Sequence, residues 1–450
     1  MRTKAFRGKW AVLAFLLLVF FLTFYYVDII ITQNSGIHFF QGLLTGTFYE
    51  TYYFESVFYI PIHILFGIWC LPVTLLELAG VHAAGTVGAY LWAKLLVVGF
   101  CIGVLWLYRE MLKLIGCRDV DFWLFFLCAS PLFWGPTMVL AQYDVIELFF
   151  GMWAMLLAAR EKELSWKTLL LLSVAVACKL LFTFGAILLL LVKEKRLGYL
   201  LRDLIVMLAL TAVFFLIFRV GNVIKVYDEL SVGYTQEKII STALPGLVEM
   251  PYLFLVFFAD CAIAYFHMKP ADSREFLLDM AWLLTSCYSA FVLLLWGSHP
   301  FWAVLLVPFL ALLLASRENG QVENMLLGIV FQLGTMALQV FVFFWMYLEE
   351  SCFSYLILRN RKSMKLFGKD ILSGSAIIKA LGLQQMMPPL AALTLVIAAV
   401  LLFRNNIWRP IRGTDAGAEA AEKAKRWMEL FLLVFMVLYF LASCVIALIM

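Results

Sequence analysis

The chain has 450 residues, of which 64% are hydrophobic and only 14% charged, against roughly a quarter charged in an ordinary soluble domain. Its mean hydropathy is +0.96; a monomer so apolar cannot keep its surface in water, so its solvent is lipid. The net charge of +4 is spread over short loops with no phosphate loop or stacking motif, which excludes nucleic acid as a partner. The nine cysteines stand singly, as Cys101, Cys178 and Cys444 do inside apolar runs, so neither a zinc site nor a disulfide framework is indicated.

The N-terminus carries Arg2, Lys4, Arg7 and Lys9, then an apolar run continuing through Phe24-Tyr25-Tyr26-Val27. That run is too long for a signal-peptide core and lacks a small-residue cleavage site, so an uncleaved first helix is expected. A crossing helix needs about 20 mostly apolar residues. Candidate segments are 10–31, 57–79, 86–108, 121–139, 145–159, 167–192, 199–219, 246–267, 276–297, 299–316, 324–347, 387–404 and 428–449. The longest polar stretches are 32–56, 220–245, 348–386 and 405–427, with no inserted soluble domain and no visible repeat. The fold class is therefore all-α, a polytopic transmembrane helical bundle in a multi-pass integral membrane protein.

Lys and Arg in short loops mark the cytoplasmic side. With the N-terminus inside, the first helix delivers Asp28 and the Lys/Arg-free loop 32–56 to the outer face. The basic loops 109–118, 160–167 and 193–202 can all be inside under two conditions. Segment 57–79, broken by Pro61 and Pro72, must lie as interfacial or re-entrant helices. Segment 167–192 must enter and return as a hairpin with Lys179 and Thr183-Phe184-Gly185 near its tip. About 13 crossings follow, with juxtamembrane helices in the first outer loop. The 348–386 loop is the misfit, since it carries six basic residues to the outer face.

Under this topology Asp28 and Asp144, in Gln142-Tyr143-Asp144, reach one surface beside the loop that holds Glu50 and Glu55. Each acid alone reads as a solvated helix end; together at a lipid interface they fit a general base and its partner. Lys94 and Lys179 either snorkel to headgroups or pair with an interfacial anion. His38 and His299, the latter in Gly297-Ser298-His299-Pro300, are candidate substrate contacts that equally suit structural roles. Asp260 is expected to pair within the bundle. The carboxylates are too few to require a divalent metal, so no metal ligand is assigned and metal dependence stays open.

Taken in order, these elements resemble the GT-C superfamily of membrane glycosyltransferases, including protein O-mannosyltransferases and aminoarabinose-to-lipid-A transferases. The matching features are Asp28 after the first helix, Tyr59-Ile60-Pro61-Ile62-His63, Lys94 early in its helix, Cys128-Ala129-Ser130-Pro131, Gln142-Tyr143-Asp144, and Ala177-Cys178-Lys179. The likeness covers about residues 10–200. It implies a catalytic module over 1–220, with an outer loop at 32–85, and variable C-terminal helices over 221–450. It further implies transfer of a sugar from a polyprenyl-phosphate donor to a lipid, glycan or protein acceptor. The transfer would occur with inversion at the outer face of a plasma membrane, expected to be bacterial. Asp28 and Asp144 would be catalytic, Lys94 and Lys179 would bind the donor phosphate, and Gln142, His38, Glu50, Glu55 and His299 would line the substrate. The chain departs from the pattern in lacking a paired acid after Asp28 and in carrying Ala141 where the family has glycine. A flippase of lipid-linked glycans and a non-catalytic membrane protein are the competing readings; the first would show repeat halves.

Overall fold

The computed structural model describes residues 2–24, 26–53, 60–218, 252–294, 300–316, 321–342, 383–405 and 418–449. All of these are helix, turn or short connection, with no strand among them. The N-terminal half comprises α1 (Arg2–Thr23), α2 (Val27–Thr45), α3 (Ile60–Trp69), α4 (Leu71–Leu78), α5 (Val87–Leu114), α6 (Val120–Ala129), α7 (Pro131–Trp134), α8 (Asp144–Arg160), α9 (Trp166–Cys178), α10 (Thr183–Lys193) and α11 (Leu197–Phe218). After it come α12 (Tyr252–Phe266), α13 (Ser273–Leu294), α14 (Val307–Ala315), α15 (Gln321–Val342), α16 (Met387–Arg404) and α17 (Ala418–Ile449). Among the described residues four helices are long and apolar enough to cross a membrane, or seven if each of three bent pairs is one span. The expected 13 crossings are more than length and apolarity alone support. Phe15, Ile102, Leu201, Phe258, Val396 and Leu438 project outward, as side chains do when the solvent is lipid. Helices α13 and α14 are enclosed on nearly every side and form the centre of the bundle.

One end of the bundle gathers the basic loops. Lys9 pairs with Asp121 at 2.8 Å and Glu429 at 2.7 Å, and Lys425 pairs with Asp119. Arg160 lies 3.9 Å from Glu110, Lys193 Nζ donates to the Glu161 carbonyl at 2.7 Å, and Lys195 Nζ donates to Ala264 O. The N-terminus and the loops after α5, α8, α10 and α12 therefore share one end. Segment 166–193 returns to the end it started from, so it is a hairpin, with Lys179–Phe182 at its tip and Thr183 opening α10 directly after it.

At the opposite end the backbone breaks repeatedly, and two sequence expectations are corrected. The first helix is not continuous over 10–31: α1 stops at Thr23 and α2 starts at Val27, turned by 67°. Asp28 thus begins α2 instead of ending α1, and most of the polar stretch 32–56 is helical. Segment 121–139 is also divided. Ser130 is extended before Pro131, as residues preceding proline usually are, and the chain turns 54° into α7 and a π-turn at Gly135–Val139. Helices α2 and α3 cross almost backbone to backbone. A Cβ on Gly36 would lie 2.6 Å from Gly67 N, so neither position admits a larger residue without a shift. The end of α3 is clasped to α5 by two stacked indoles, each donating its N–H to the other residue's carbonyl (Trp69 to Trp92 O at 2.7 Å, Trp92 to Trp69 O at 2.8 Å). Helix α3 is ten residues long, about 15 Å, half of what a crossing needs. Alone it is too short to cross, and with α4 it forms a pair bent by 71°.

Candidate active site

Helix α8 begins at Asp144 and carries two acids, Asp144 and Glu147, in its first turn. Carboxylates suit that position because the unpaired N–H groups of a helix N-terminus carry partial positive charge. Asp144 is completely buried, and its Oδ1 accepts from Lys179 Nζ at 2.6 Å. Lys179 ends α9 in an extended conformation (φ −160°, ψ 134°), and its ammonium lies 4.9 Å from the Tyr143 ring centre and 5.0 Å from that of Phe301. Burying an ion pair is tolerable only when the partners meet closely, and aromatic faces help to replace water around the cation.

Breaking a helix within apolar surroundings exposes backbone polar groups that need partners. At the hairpin tip they find side chains. Glu147 Oε2 accepts from Phe182 N–H at 3.0 Å, and the Tyr288 hydroxyl donates to Leu181 O at 3.4 Å. The Phe182 ring covers Gly151, where a Cβ would come within 2.1 Å of it. One polar contact and a packed ring thus fix the tip carrying Lys179 against α8, and Tyr288 ties it to α13.

The third contributor arrives from the break between α1 and α2. Gln142 Nε2 donates to Asp28 Oδ2 at 3.1 Å, across 114 residues of sequence, and Asp28 feels the charges of both Lys179 and Asp144. The residue before Gln142, Ala141, has φ +50° and is the one non-glycine in that region among the described residues. Three buried oxygens here, Gln142 Oε1, Asp144 Oδ2 and Glu147 Oε1, have no hydrogen-bond donor among the described residues. All three are acceptors, so a ligand rich in hydroxyl groups would complement them.

Of the residues singled out from sequence, Asp28, Gln142, Asp144 and Lys179 come together. Lys94 has a different setting, described below. His38 is half-buried on α2 and Glu50 is exposed in the Tyr49–Tyr53 π-turn, while Glu55 and His299 lie outside the described residues. Glu147, Tyr143, Phe182 and Phe301 were not anticipated. Glu147 was detectable as an ionisable residue inside an apolar segment, three positions from Asp144 and so on the same helical face. No three Asp, Glu, His or Cys side chains gather closely enough for a metal ion among the described residues. No protein-family model matches this chain, and no curated protein or solved structure matches it.

Proposed function

We propose that the protein is a membrane glycosyltransferase of the GT-C kind, which moves a sugar from a polyprenyl phosphate to a lipid, glycan or protein acceptor and inverts the anomeric carbon. The observation that carries this reading is the meeting of Asp28, Gln142, Asp144 and Lys179 at the end of the bundle away from the basic loops. Asp144 lies sixteen residues from Arg160, or roughly 24 Å along α8, which suits the far boundary of a hydrocarbon core about 30 Å thick. A lipid-linked sugar presents its phosphate at that depth. The thirteen crossings, a cytoplasmic N-terminus, an outward-facing site and a plasma-membrane location belong to the same proposal. The left-handed backbone at Ala141 also supports it, because the glycine of the family's motif suits such a conformation.

In this mechanism Asp28 takes the proton of the acceptor hydroxyl as its oxygen bonds to the anomeric carbon. The bond from that carbon to the phosphate oxygen breaks, and the departing polyprenyl phosphate keeps the electron pair. Lys179 stabilises the charge growing on the phosphate. Asp144 holds the lysine ionised and aimed before the donor arrives, which makes it a positioning group. Gln142 orients Asp28, and the acceptor oxygens nearby receive sugar hydroxyls.

Purified protein in liposomes, offered a panel of radiolabelled polyprenyl-phosphate sugars and a membrane lipid extract, should consume one donor and release polyprenyl phosphate. Movement of donors across the vesicle without cleavage of any of them would instead identify a transporter.

A further inference from the structure

Lys94 is 1% exposed and sits two turns into α5. Its three hydrogen bonds all go to backbone carbonyls: Phe21 O at 2.7 Å, Phe24 O at 3.1 Å and Met138 O at 3.1 Å. The Phe21 and Tyr90 rings flank the ammonium at 5.0 and 5.5 Å. The first two carbonyls belong to the C-terminus of α1, where a cation also meets the negative end of the helix dipole. The third belongs to the π-turn Gly135–Val139. One turn earlier on α5, the Tyr90 hydroxyl donates to Phe24 O at 3.1 Å and accepts from Tyr26 N–H at 3.2 Å. Together the two side chains satisfy the carbonyls of Phe21 and Phe24 and the N–H of Tyr26, on either side of the break.

The carbonyls joined by Lys94 lie just ahead of the proposed catalytic groups. Phe24 precedes Asp28 by four residues, and Met138 precedes Gln142 by four and Asp144 by six. We infer that Lys94 is a positioning residue, a three-carbonyl anchor that sets Asp28 against Gln142 and Asp144. This inference rests on the transferase reading for its kinetic consequence, not for its geometry. It differs from the phosphate-binding role that the family likeness implies for this lysine.

The test combines distance and kinetics. Spin labels at the exposed Leu44 and Leu180 report the far end of α2 against the hairpin tip. Position 44 is seventeen residues beyond the start of α2, so a lever of about 25 Å amplifies any loosening at the break. In Lys94→Met the distance distribution should broaden or shift. The kcat should fall by roughly 100-fold, the scale of a 1 Å misplacement, while the donor KM stays within about twofold. Lys94→Arg keeps a donor set for carbonyls and should recover most of both. An unchanged distribution in Lys94→Met overturns the inference, as does a raised donor KM with kcat retained, which would mark a phosphate ligand. Should Lys94→Met fail to accumulate, Lys94→Gln carries the test. Its shorter, neutral amide has two N–H donors for three carbonyls, and a wild-type distribution with wild-type kcat would overturn the inference. A wild-type protein that turns over no donor would end the transferase reading, and the distance measurement would still decide the role of Lys94.

Discussion

Lys179 and Asp144 face each other with both side chains buried, so removing either partner leaves an uncompensated buried charge. Breaking such a pair costs about 3–5 kcal/mol, more than the pair contributes over an apolar replacement. Lys179→Ala should therefore unfold at a clearly lower temperature than wild type in detergent. Adding Asp144→Asn should restore much of that loss, because the neutral amide no longer needs a cation. Equal destabilisation in the single and double variants would mean the two side chains do not depend on each other. Donor turnover should be lost in both, since neither restores a cation for the phosphate. Asp28, Gln142, Asp144 and Lys179 were legible in the sequence as short polar motifs in apolar surroundings. The Lys179–Asp144 pairing was not, because 35 residues and a hairpin separate them. Lys94 was legible as a charge in an apolar helix, but its carbonyl partners carry no side-chain signature.

At the scale of elements, the site depends on breaks in α1–α2, α6–α8 and α9–α10, and these differed in how openly the sequence announced them. The Ser130-Pro131 and Pro136 positions signal a broken helix by the known constraints of proline. The break at 24–26 contains neither Gly nor Pro, and it is held by Tyr90 and Lys94 from another helix. A tertiary cause of this kind is invisible to local pattern, which is why the apolar run 10–31 looks continuous in the sequence. Ala141 offers a quantitative test of the π-turn exit. A left-handed conformation costs an L-residue about 1–2 kcal/mol, which glycine would relieve. Against that stand about 0.8 kcal/mol for the buried methyl and about 0.5–1 kcal/mol for glycine's backbone entropy. Ala141→Gly should therefore be near neutral in thermal unfolding. Ala154→Gly, fully buried in the interior of α8, has no strain to relieve and should cost about 2 kcal/mol. A loss at position 141 as large as at 154 would contradict the assigned backbone.

At the scale of the molecule, the charge pattern and the contacts agree on which loops share an end. Lys9–Asp121, Arg160–Glu110 and Lys193–Glu161 O link segments that basic-loop counting had already grouped. This agreement requires segment 57–79 not to cross; α3 alone is too short to do so, and with α4 it forms a pair bent by 71°. In a cysteine-free background, single cysteines at Gly116, Lys162 and Arg196 should label from the cytoplasmic side only. Cysteines at Gly46 and His82 should label from the other side. Cytoplasmic labelling at His82 would mean that 60–78 spans after all.

In the proposed transfer Asp28 abstracts the proton of the acceptor hydroxyl. Asp28→Asn is nearly isosteric and can still accept the Gln142 hydrogen bond, while the negative charge and the basicity are gone. With the donor that wild type consumes, the variant in liposomes should bind the donor as wild type does and form glycosylated product roughly 10²–10⁴-fold more slowly, the usual share of general-base catalysis. Product formation at the wild-type rate by Asp28→Asn would contradict the account.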